Sequence, residues 1–208
     1  ANGLPLETCK NTPADRSVLP NSLRLPETPL IIYAGRLTND VSARKNVDRL
    51  LKSLKLIEKQ DVGCVICGDG PAKQDLINLC NFLQISDRVF FAGNLPQDKL
   101  WQLIKASAGF VSLSSFEGHP NTVLEAMACG CPLILSDIEA HRLLLDEHGA
   151  IFVDPENEKA VASAILSTLN DQHMARTRAN NASKIVQKFS IAEMTDKYEE
   201  LYQSLLCP

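Results

Sequence analysis

The chain has 208 residues, of which 45% are hydrophobic and 22% charged, so it is long enough for one domain with a sizeable core. Its net charge of −4 argues against a nucleic-acid-binding protein, which would normally present a basic face. A small anionic ligand is still compatible with this charge, because single cations and helix N-termini act locally.

Residues 1–28 are predicted to form a linker or an irregular wrap. Four prolines interrupt this stretch, and neither the strand period nor the helix period persists in it. The chain begins with Ala1 rather than Met and shows no signal-peptide pattern, so we expect an excised fragment or a processed chain.

From residue 29 to residue 208, short apolar runs alternate with helical patterns. Strands are predicted at 30–34, 62–67, 89–91, 109–113, 132–135 and 151–153, and two extra helices, about 171–187 and 191–206, close the chain. Strands that are apolar throughout and alternate with helices predict an α/β fold. The sheet is expected to be Rossmann-like and parallel, with about six strands and helices on both faces. Ligands bind at the carboxyl edge of such a sheet.

The seven cysteines are interpreted as reduced core thiols rather than as a metal or redox site. Cys64 and Cys67 form a C-x-x-C pair, but the pair lies in an apolar run and no second pair follows at zinc spacing. The four histidines show no ligand spacing either, so we expect no metal. Reduced thiols indicate a protein of the cytoplasm or of the cytoplasmic face of a membrane. No run approaches the roughly 20 apolar residues of a membrane span.

The turn after the fourth strand is the main candidate site. Gly118 leaves room for a ligand next to the backbone, and Pro120 suits the first position of a helix. The amides of residues 121–123 are then expected to be unpaired, and such a helix start binds phosphate.

Two acids flank this helix start. Glu125 lies about one turn into the helix, where a carboxylate can accept two ribose hydroxyls, and Glu117 lies before the helix, within reach of a sugar hydroxyl. Taken singly, each acid is better explained by structure alone: Glu117 as a solvated loop acid and Glu125 as an acid in the first turn that complements the helix dipole. Their combination with the glycine, the proline and the strand end favours a binding site.

A second candidate lies after the first strand, where Arg36 follows Gly35 and where Lys45-Asn46 precede the next helix. Two cations that converge there would match a diphosphate, although surface exposure is the usual fate of such residues. Gly68-x-Gly70 is a weak signal, since neither a complete dinucleotide fingerprint nor a P-loop is present. The sequence also lacks the G-x-S-x-G elbow of many hydrolases.

These residues together resemble a known family. The run from Glu117 to Pro132, Glu-Gly-His-Pro-Asn-Thr-Val-Leu-Glu-Ala-Met-Ala-Cys-Gly-Cys-Pro, resembles the E-x7-E region of the retaining glycosyltransferases of family 4, which have the GT-B fold. Gly35-Arg36-Leu37 with Lys45-Asn46 looks like that family's phosphate-binding pair. Further segments fall in the family order, namely 68–71, 91–94 and 153–155, and Asn2-Gly3 is similar to the start of its C-terminal domain.

The resemblance implies a donor-binding domain for a UDP- or GDP-sugar, with no cofactor, no metal and retention of anomeric configuration. It implies Arg36 and Lys45 on the diphosphate, where they offset leaving-group charge, Glu125 on the ribose and Glu117 on the sugar, with Glu117, Arg36 and Lys45 as catalytic residues. The implied donor-binding residues are Gly35, Arg36, Lys45, Gly68, Gly93, Asn94, Glu117, Gly118, His119, Pro120, Asn121, Thr122, Val123 and Glu125.

Two departures from the family pattern stand out. His119 and Pro120 occupy positions where many members carry Gly-Phe or Phe-Gly, and these 208 residues are expected to lack the family's N-terminal acceptor domain. The chain alone is therefore expected to be inactive, with that domain and an acceptor at a membrane surface as partners, and no nucleic acid. A non-catalytic nucleotide-sugar-binding module and a related enzyme such as a sugar-nucleotide epimerase are the alternatives. A phosphorylase or a nicotinamide oxidoreductase is less well supported.

Overall fold

The computed structural model describes residues 3–17, 19, 28–38, 44–57 and 62–206, without the side chains of residues 205 and 206. It confirms the predicted α/β fold with six strands in one parallel sheet. The strands are Leu30–Ala34 (β1), Gly63–Cys67 (β2), Val89–Gly93 (β3), Gly109–Ser112 (β4), Leu133–Ser136 (β5) and Ile151–Val153 (β6). All six lie within two residues of the predicted bounds.

The sheet has the strand order β3-β2-β1-β4-β5-β6, and every pair of neighbours is parallel. The order reverses between β1 and β4, because the chain builds one half of the sheet outward from β1 and then returns to start the other half at β4. A crevice forms at the carboxyl ends of two such strands, since their following loops diverge to opposite sides. The loops after β1 and β4 therefore border this crevice.

Helices cover both faces of the sheet. The helices are Leu6–Asn11 (α1), Val47–Lys55 (α2), Lys73–Leu83 (α3), Gln97–Lys105 (α4), Asn121–Ala128 (α5), Glu139–Arg142 (α6), Glu158–Asn170 (α7), Gln172–Ile185 (α8) and Ile191–Leu206 (α9), with a 3₁₀ turn at Val186–Phe189. Residues that alternate along β1 belong to two separate cores: Ile31 and Tyr33 pack with α2, α3 and α7, whereas Leu30 and Ile32 pack with α1, α4, α5 and α8.

The N-terminal segment is more ordered than the sequence predicted. It contains the helix α1, which packs against α5, and Leu6 and Cys9 are 5% and 2% exposed. Residues that carry no helical period over a long window can still form a short helix when they bury a few apolar side chains. Asn2 of the Asn2-Gly3 resemblance lies outside the described residues, as does most of the stretch 18–27.

Five of the six cysteines among the described residues are buried as predicted, Cys129 is only partly buried, and all six are free thiols. Cys64 and Cys67 are buried in the sheet with free thiols, and burial raises the pKa of Cys67 to about 12. Cys207 is outside the described residues. Within the described ranges, no group of three acids, cysteines or histidines is placed to hold a metal ion. None of the described helices combines the length and the apolar character needed to cross a membrane.

Candidate functional site

The predicted site residues lie at the carboxyl edge of the sheet. Gly35 and Arg36 follow β1, Gly68 follows β2, and Asn94 follows β3. The segment 114–120 connects β4 to α5. All four loops therefore meet at one edge, because carboxyl ends of parallel strands share an edge.

Two glycines after β2 let the loops of β1 and β2 touch. A Cβ atom on Gly68 would lie 2.0 Å from the carbonyl oxygen of Gly35, and one on Gly70 would lie 2.1 Å from that of Leu37. Gly68 also has a φ of +130°, which side-chain-bearing residues rarely adopt. Gly68-x-Gly70, a weak signal in the sequence, therefore allows the loop Gly35–Leu37 to pack directly against the loop after β2.

A cavity of about 440 Å³ opens beside this loop pair. Arg36 is exposed at its wall, and its guanidinium has no partner among the described residues. Asp69 also lines the cavity, but its carboxylate accepts hydrogen bonds from Lys73 at 2.9 Å and from the Gly70 N–H at 2.8 Å, and Lys73 lowers its pKa. Arg36 therefore faces the cavity with its charge uncompensated. The lining residues are Ala34, Gly35, Arg36, Cys67, Gly68, Asp69, Asn94, Leu95, Leu100 and Thr122.

Lys45 and Glu117 form an ion pair across the switch point. The Lys45 Nζ donates to Glu117 Oε1 at 2.7 Å, and the two side chains are 20% and 17% exposed. Ser114 Oγ donates to the same carboxylate oxygen, also at 2.7 Å. The sequence predicted that Lys45 and Arg36 converge. In the structure, Lys45 instead pairs with Glu117 and lines a different cavity from Arg36.

Asn46 fixes the backbone beside this ion pair. It adopts the left-handed conformation with a φ of 53°, which asparagine tolerates better than most residues. Its buried Nδ2 donates to the Leu113 carbonyl at 2.7 Å and to Ser115 Oγ at 2.9 Å. The loop that carries Lys45 is therefore tied directly to the loop that carries Glu117.

Glu117 contributes to the wall of a larger cavity of about 650 Å³. His119 lines it, and its Nε2 is buried without a hydrogen-bond partner among the described residues. Phe116 and Leu143 on its rim are 63% and 77% exposed. The lining residues are Ser115, Phe116, Glu117, Gly118, His119, Pro120, Ile138, Glu139, Ala140, Leu143, Leu144 and Phe189.

The start of α5 differs from the sequence prediction. Pro120 precedes the helix instead of occupying its first position, and its carbonyl accepts the Val123 N–H at 3.0 Å. The Asn121 N–H donates to the His119 carbonyl at 2.9 Å, so two of the three amides predicted to be unpaired are already used. The Thr122 N–H alone among the three has no acceptor among the described residues, and Thr122 lines the 440 Å³ cavity.

Glu125 points toward α4. Gln97 Nε2 donates to Glu125 Oε1 at 2.9 Å. Burial raises the pKa of Glu125, an effect reduced by Gln97 and by the nearby Trp101 indole, although the Trp101 Nε1 does not reach full hydrogen-bond geometry. Along α5, Glu125 follows Thr122 by three positions, about one helical turn.

The predicted residues divide into separate groups in the structure. Gly35, Arg36, Gly68, Asn94 and Thr122 share the smaller cavity, whereas Glu117, Gly118, His119 and Pro120 share the larger one. Five others line neither cavity. Val123 is fully buried in the core, Asn121 is exposed, and the Gly93 carbonyl accepts the Gly68 N–H at 2.7 Å. The other two, Lys45 and Glu125, make the contacts described above.

Sequence reasoning missed several polar residues around Glu117. Ser114, Ser136 and His141 are 1%, 0% and 0% exposed and are linked by hydrogen bonds. Their signal in the sequence was weak, because single serines at strand ends and a lone histidine on a short helix have many ordinary explanations. Buried polar groups need partners, so only their burial reveals the network.

Comparison with known proteins supplies the context for this geometry. A family model described as Glycosyl transferases group 1 matches residues 15–185. An alpha-D-kanosaminyltransferase of Streptomyces kanamyceticus is 27% identical over 199 residues, which cover 94% of this chain and 50% of that protein. The lipopolysaccharide core biosynthesis glycosyltransferase LpsD of Rhizobium meliloti is 30% identical over 175 residues, which cover 83% and 49%. The chain spans about half the length of these curated relatives.

Solved structures agree on the fold. HepE of Anabaena, crystallised in complex with UDP, is similar with a TM-score of 0.85 and 23% identity over 97% of this chain and 56% of its own. Sucrose-phosphate synthase of Thermosynechococcus elongatus is similar with a TM-score of 0.83 and 26% identity over 99% of this chain and 51% of its own.

Proposed function

Since this chain belongs to the glycosyl transferases of group 1, we propose that it is the donor-binding half of an enzyme that transfers a sugar from a nucleoside diphosphate to an acceptor. One observation carries the proposal: an uncompensated arginine and an acid–lysine pair lie in adjacent loops at the switch point of the sheet. A diphosphate needs cations, and a neutral sugar needs hydroxyl acceptors, so the two features match the two parts of one ligand.

In this proposal the diphosphate lies between the two cavities. Arg36 and the free Thr122 N–H supply donors from one side, and Lys45 supplies a charge from the other. These groups offset the negative charge that develops on the leaving nucleoside diphosphate. Arg36, Lys45 and Glu117 are accordingly the proposed catalytic residues.

Glu117 accepts a hydroxyl of the transferred sugar, and Glu125 accepts hydroxyls of the ribose. Glu117 Oε1 accepts hydrogen bonds from Lys45 and Ser114. In the proposal, Glu117 Oε2 is the oxygen that accepts the sugar hydroxyl. Retention of anomeric configuration and independence of metal ions rest on the E-x7-E resemblance. A further domain is proposed to bind the acceptor; this fits the finding that the chain spans about half the length of the curated relatives it matches.

Calorimetric titration of the 208-residue chain tests the proposal. We expect saturable binding of UDP or GDP, and tighter binding of the matching sugar nucleotide, for which UDP-glucose and GDP-mannose are suitable probes. AMP and NAD serve as controls for unspecific affinity toward nucleotides. Equal or absent binding of all six compounds by a folded sample would overturn the proposed function.

A further inference from the structure

A chain of buried polar side chains runs from α6 to Glu117, and we refer to its members, His141, Ser136 and Ser114, as the relay. His141 Nδ1 lies 2.9 Å from the Ser136 carbonyl and 3.2 Å from Ser136 Oγ. Ser136 Oγ lies 2.6 Å from the Ser114 carbonyl, and Ser114 Oγ lies 2.7 Å from Glu117 Oε1. The relay therefore ends on one of the proposed catalytic groups.

The direction of every bond in the relay is fixed. A carbonyl oxygen only accepts, so Ser136 Oγ gives its single proton to the Ser114 carbonyl. For the same reason, His141 Nδ1 must carry the proton that points at the Ser136 carbonyl, and Ser136 Oγ can only accept from it. A carboxylate also only accepts, so Ser114 donates to Glu117.

His141 is held in its neutral form. Its Nε2 is buried without a partner among the described residues, so a proton there would create an unpaired buried charge. Burial accordingly lowers the pKa of His141, while the Ser136 carbonyl and Glu117 oppose the shift and Lys45 reinforces it. A neutral imidazole with a fixed tautomer is a rigid donor, not a titrating switch.

The relay also links the backbones of β4 and β5 beyond the last residues that pair in the sheet. The last paired residues of β4 and β5 are Ser112 and Leu135, and the Ser136 hydroxyl then binds the carbonyl of Ser114, two residues past the end of that pairing. On the opposite side, Asn46 holds the Leu113 carbonyl at 2.7 Å. The backbone from which the Glu117 loop departs is therefore clamped from both sides.

We propose that His141, acting through Ser136 and Ser114, is a positioning residue that sets the Glu117 carboxylate for the transferred sugar. The inference rests on the proposed function and deepens it, because it assigns the orientation of Glu117 to residues that contact no ligand. Loss of the relay should weaken recognition of the sugar more than that of the nucleoside diphosphate, because Arg36 and Thr122 line the other cavity and only Lys45 is bonded to Glu117.

The test compares Ser136→Ala with wild type by calorimetric titration of UDP and UDP-glucose, and of GDP and GDP-mannose. Within the matching pair, the Kd of the nucleoside diphosphate divided by the Kd of the sugar nucleotide measures the contribution of the sugar. We expect Ser136→Ala to reduce this ratio about fivefold, the equivalent of one lost hydrogen bond, with a smaller change in the affinity for the nucleoside diphosphate. His141→Asn keeps a donor near the position of Nδ1, so we expect it to retain more of the ratio than His141→Leu.

Ser53→Ala is the matched control, because Ser53 is equally buried and also donates to a backbone carbonyl, that of Arg49 at 2.7 Å, but in α2. A crystal structure of Ser136→Ala gives a second measurement without ligand: Glu117 should move away from Lys45. An unchanged Glu117, or an equal loss of affinity for both members of the pair, overturns the relay and leaves the proposed function standing. If wild type binds no nucleotide at all, the proposed function fails, and the inference fails with it.

Discussion

At the scale of single residues, the two cations of the site are in different electrostatic states. Lys45 is neutralised by Glu117 at 2.7 Å, whereas Arg36 has no partner among the described residues. An incoming diphosphate thus meets one free charge and one that it must share with an acid. Arg36 is therefore expected to supply more of the affinity for the nucleoside diphosphate, and Lys45 to link the diphosphate with the sugar.

Arg36→Ala should weaken nucleoside diphosphate binding by about 1.5–3 kcal/mol, the usual cost of a lost charge-assisted hydrogen bond. Stability should change little, because Arg36 is exposed and makes no ion pair within the part of the chain that the structure describes. Arg176→Ala is a matched control, since Arg176 is exposed beside a cavity at the amino edge of the sheet. Calorimetric titration measures both variants, and an equal effect of the two would contradict the assignment.

The raised pKa of Glu125 predicts how the stability of the protein depends on pH. Burial raises its pKa above the ordinary value of 4.5, so the folded state holds this proton more tightly than the unfolded state. Stability should therefore be lost as pH rises through and above 4.5, until the folded state is also ionised. Glu125→Gln cannot ionise, so its free energy of unfolding should exceed that of wild type at neutral pH.

Urea denaturation of both proteins across about pH 4 to pH 8 checks the Glu125 prediction. The gain from Glu125→Gln should shrink toward the acid end of the range, where the wild-type carboxyl is protonated in both states. The same substitution should weaken nucleotide binding, because an amide accepts hydroxyls less well than a carboxylate. A gain independent of pH would show that ionisation is not its cause.

At the scale of elements, the site depends on how closely the loops of β1 and β2 approach each other. Gly68 brings its backbone against the Gly35 carbonyl, and the Gly68 N–H donates to the Gly93 carbonyl of β3 at 2.7 Å. The three loops are therefore one packed unit rather than independent connections. Changes in the β2 loop should be transmitted to Arg36 at the end of β1.

Gly68→Ala should destabilise the protein and weaken nucleotide binding, because its Cβ would lie 2.0 Å from the Gly35 carbonyl oxygen. Gly93→Ala is the matched control: Gly93 also has a positive φ, of +68°, but a Cβ there meets nothing within 4 Å. We expect only a conformational cost of about 1–2 kcal/mol from Gly93→Ala. Thermal melts measure the stability of both variants, and calorimetric titrations measure their affinity for the nucleotide. Equal losses of affinity in the two variants would count against a linked loop unit.

At the scale of the whole molecule, ligand binding should appear as stability. A ligand that binds only the folded state, at a hundred times its dissociation constant, adds about 2.7 kcal/mol to the free energy of unfolding. For a domain of this size, that corresponds to a rise of roughly 5–10 °C in Tm. A thermal-shift series with UDP, GDP and ADP sugars should show this rise with one base, and Arg36→Ala should abolish most of it. Equal shifts with all three bases would contradict a selective donor site.

The sequence by itself determined the fold class and the edge of the sheet at which the candidate residues lie. Six apolar runs such as Leu30–Ala34 each ended in a polar turn, and parallel strands bring such turns to one edge whatever the details of packing. The two closing helices were likewise visible from their patterns. The short helix α1 was not, because its stability comes from packing against α5 rather than from local propensity.

Only the tertiary structure decided which of these residues meet. It paired Lys45 with Glu117 across 72 positions of chain, gave Arg36 no partner among the residues it describes, and used two of the three amides expected to bind phosphate. It also revealed the relay from His141 to Ser114, whose members carry no pattern in the sequence. Hydrogen bonds and ion pairs act over about 3 Å, and sequence periodicity specifies which face a residue occupies but not its neighbours at that distance.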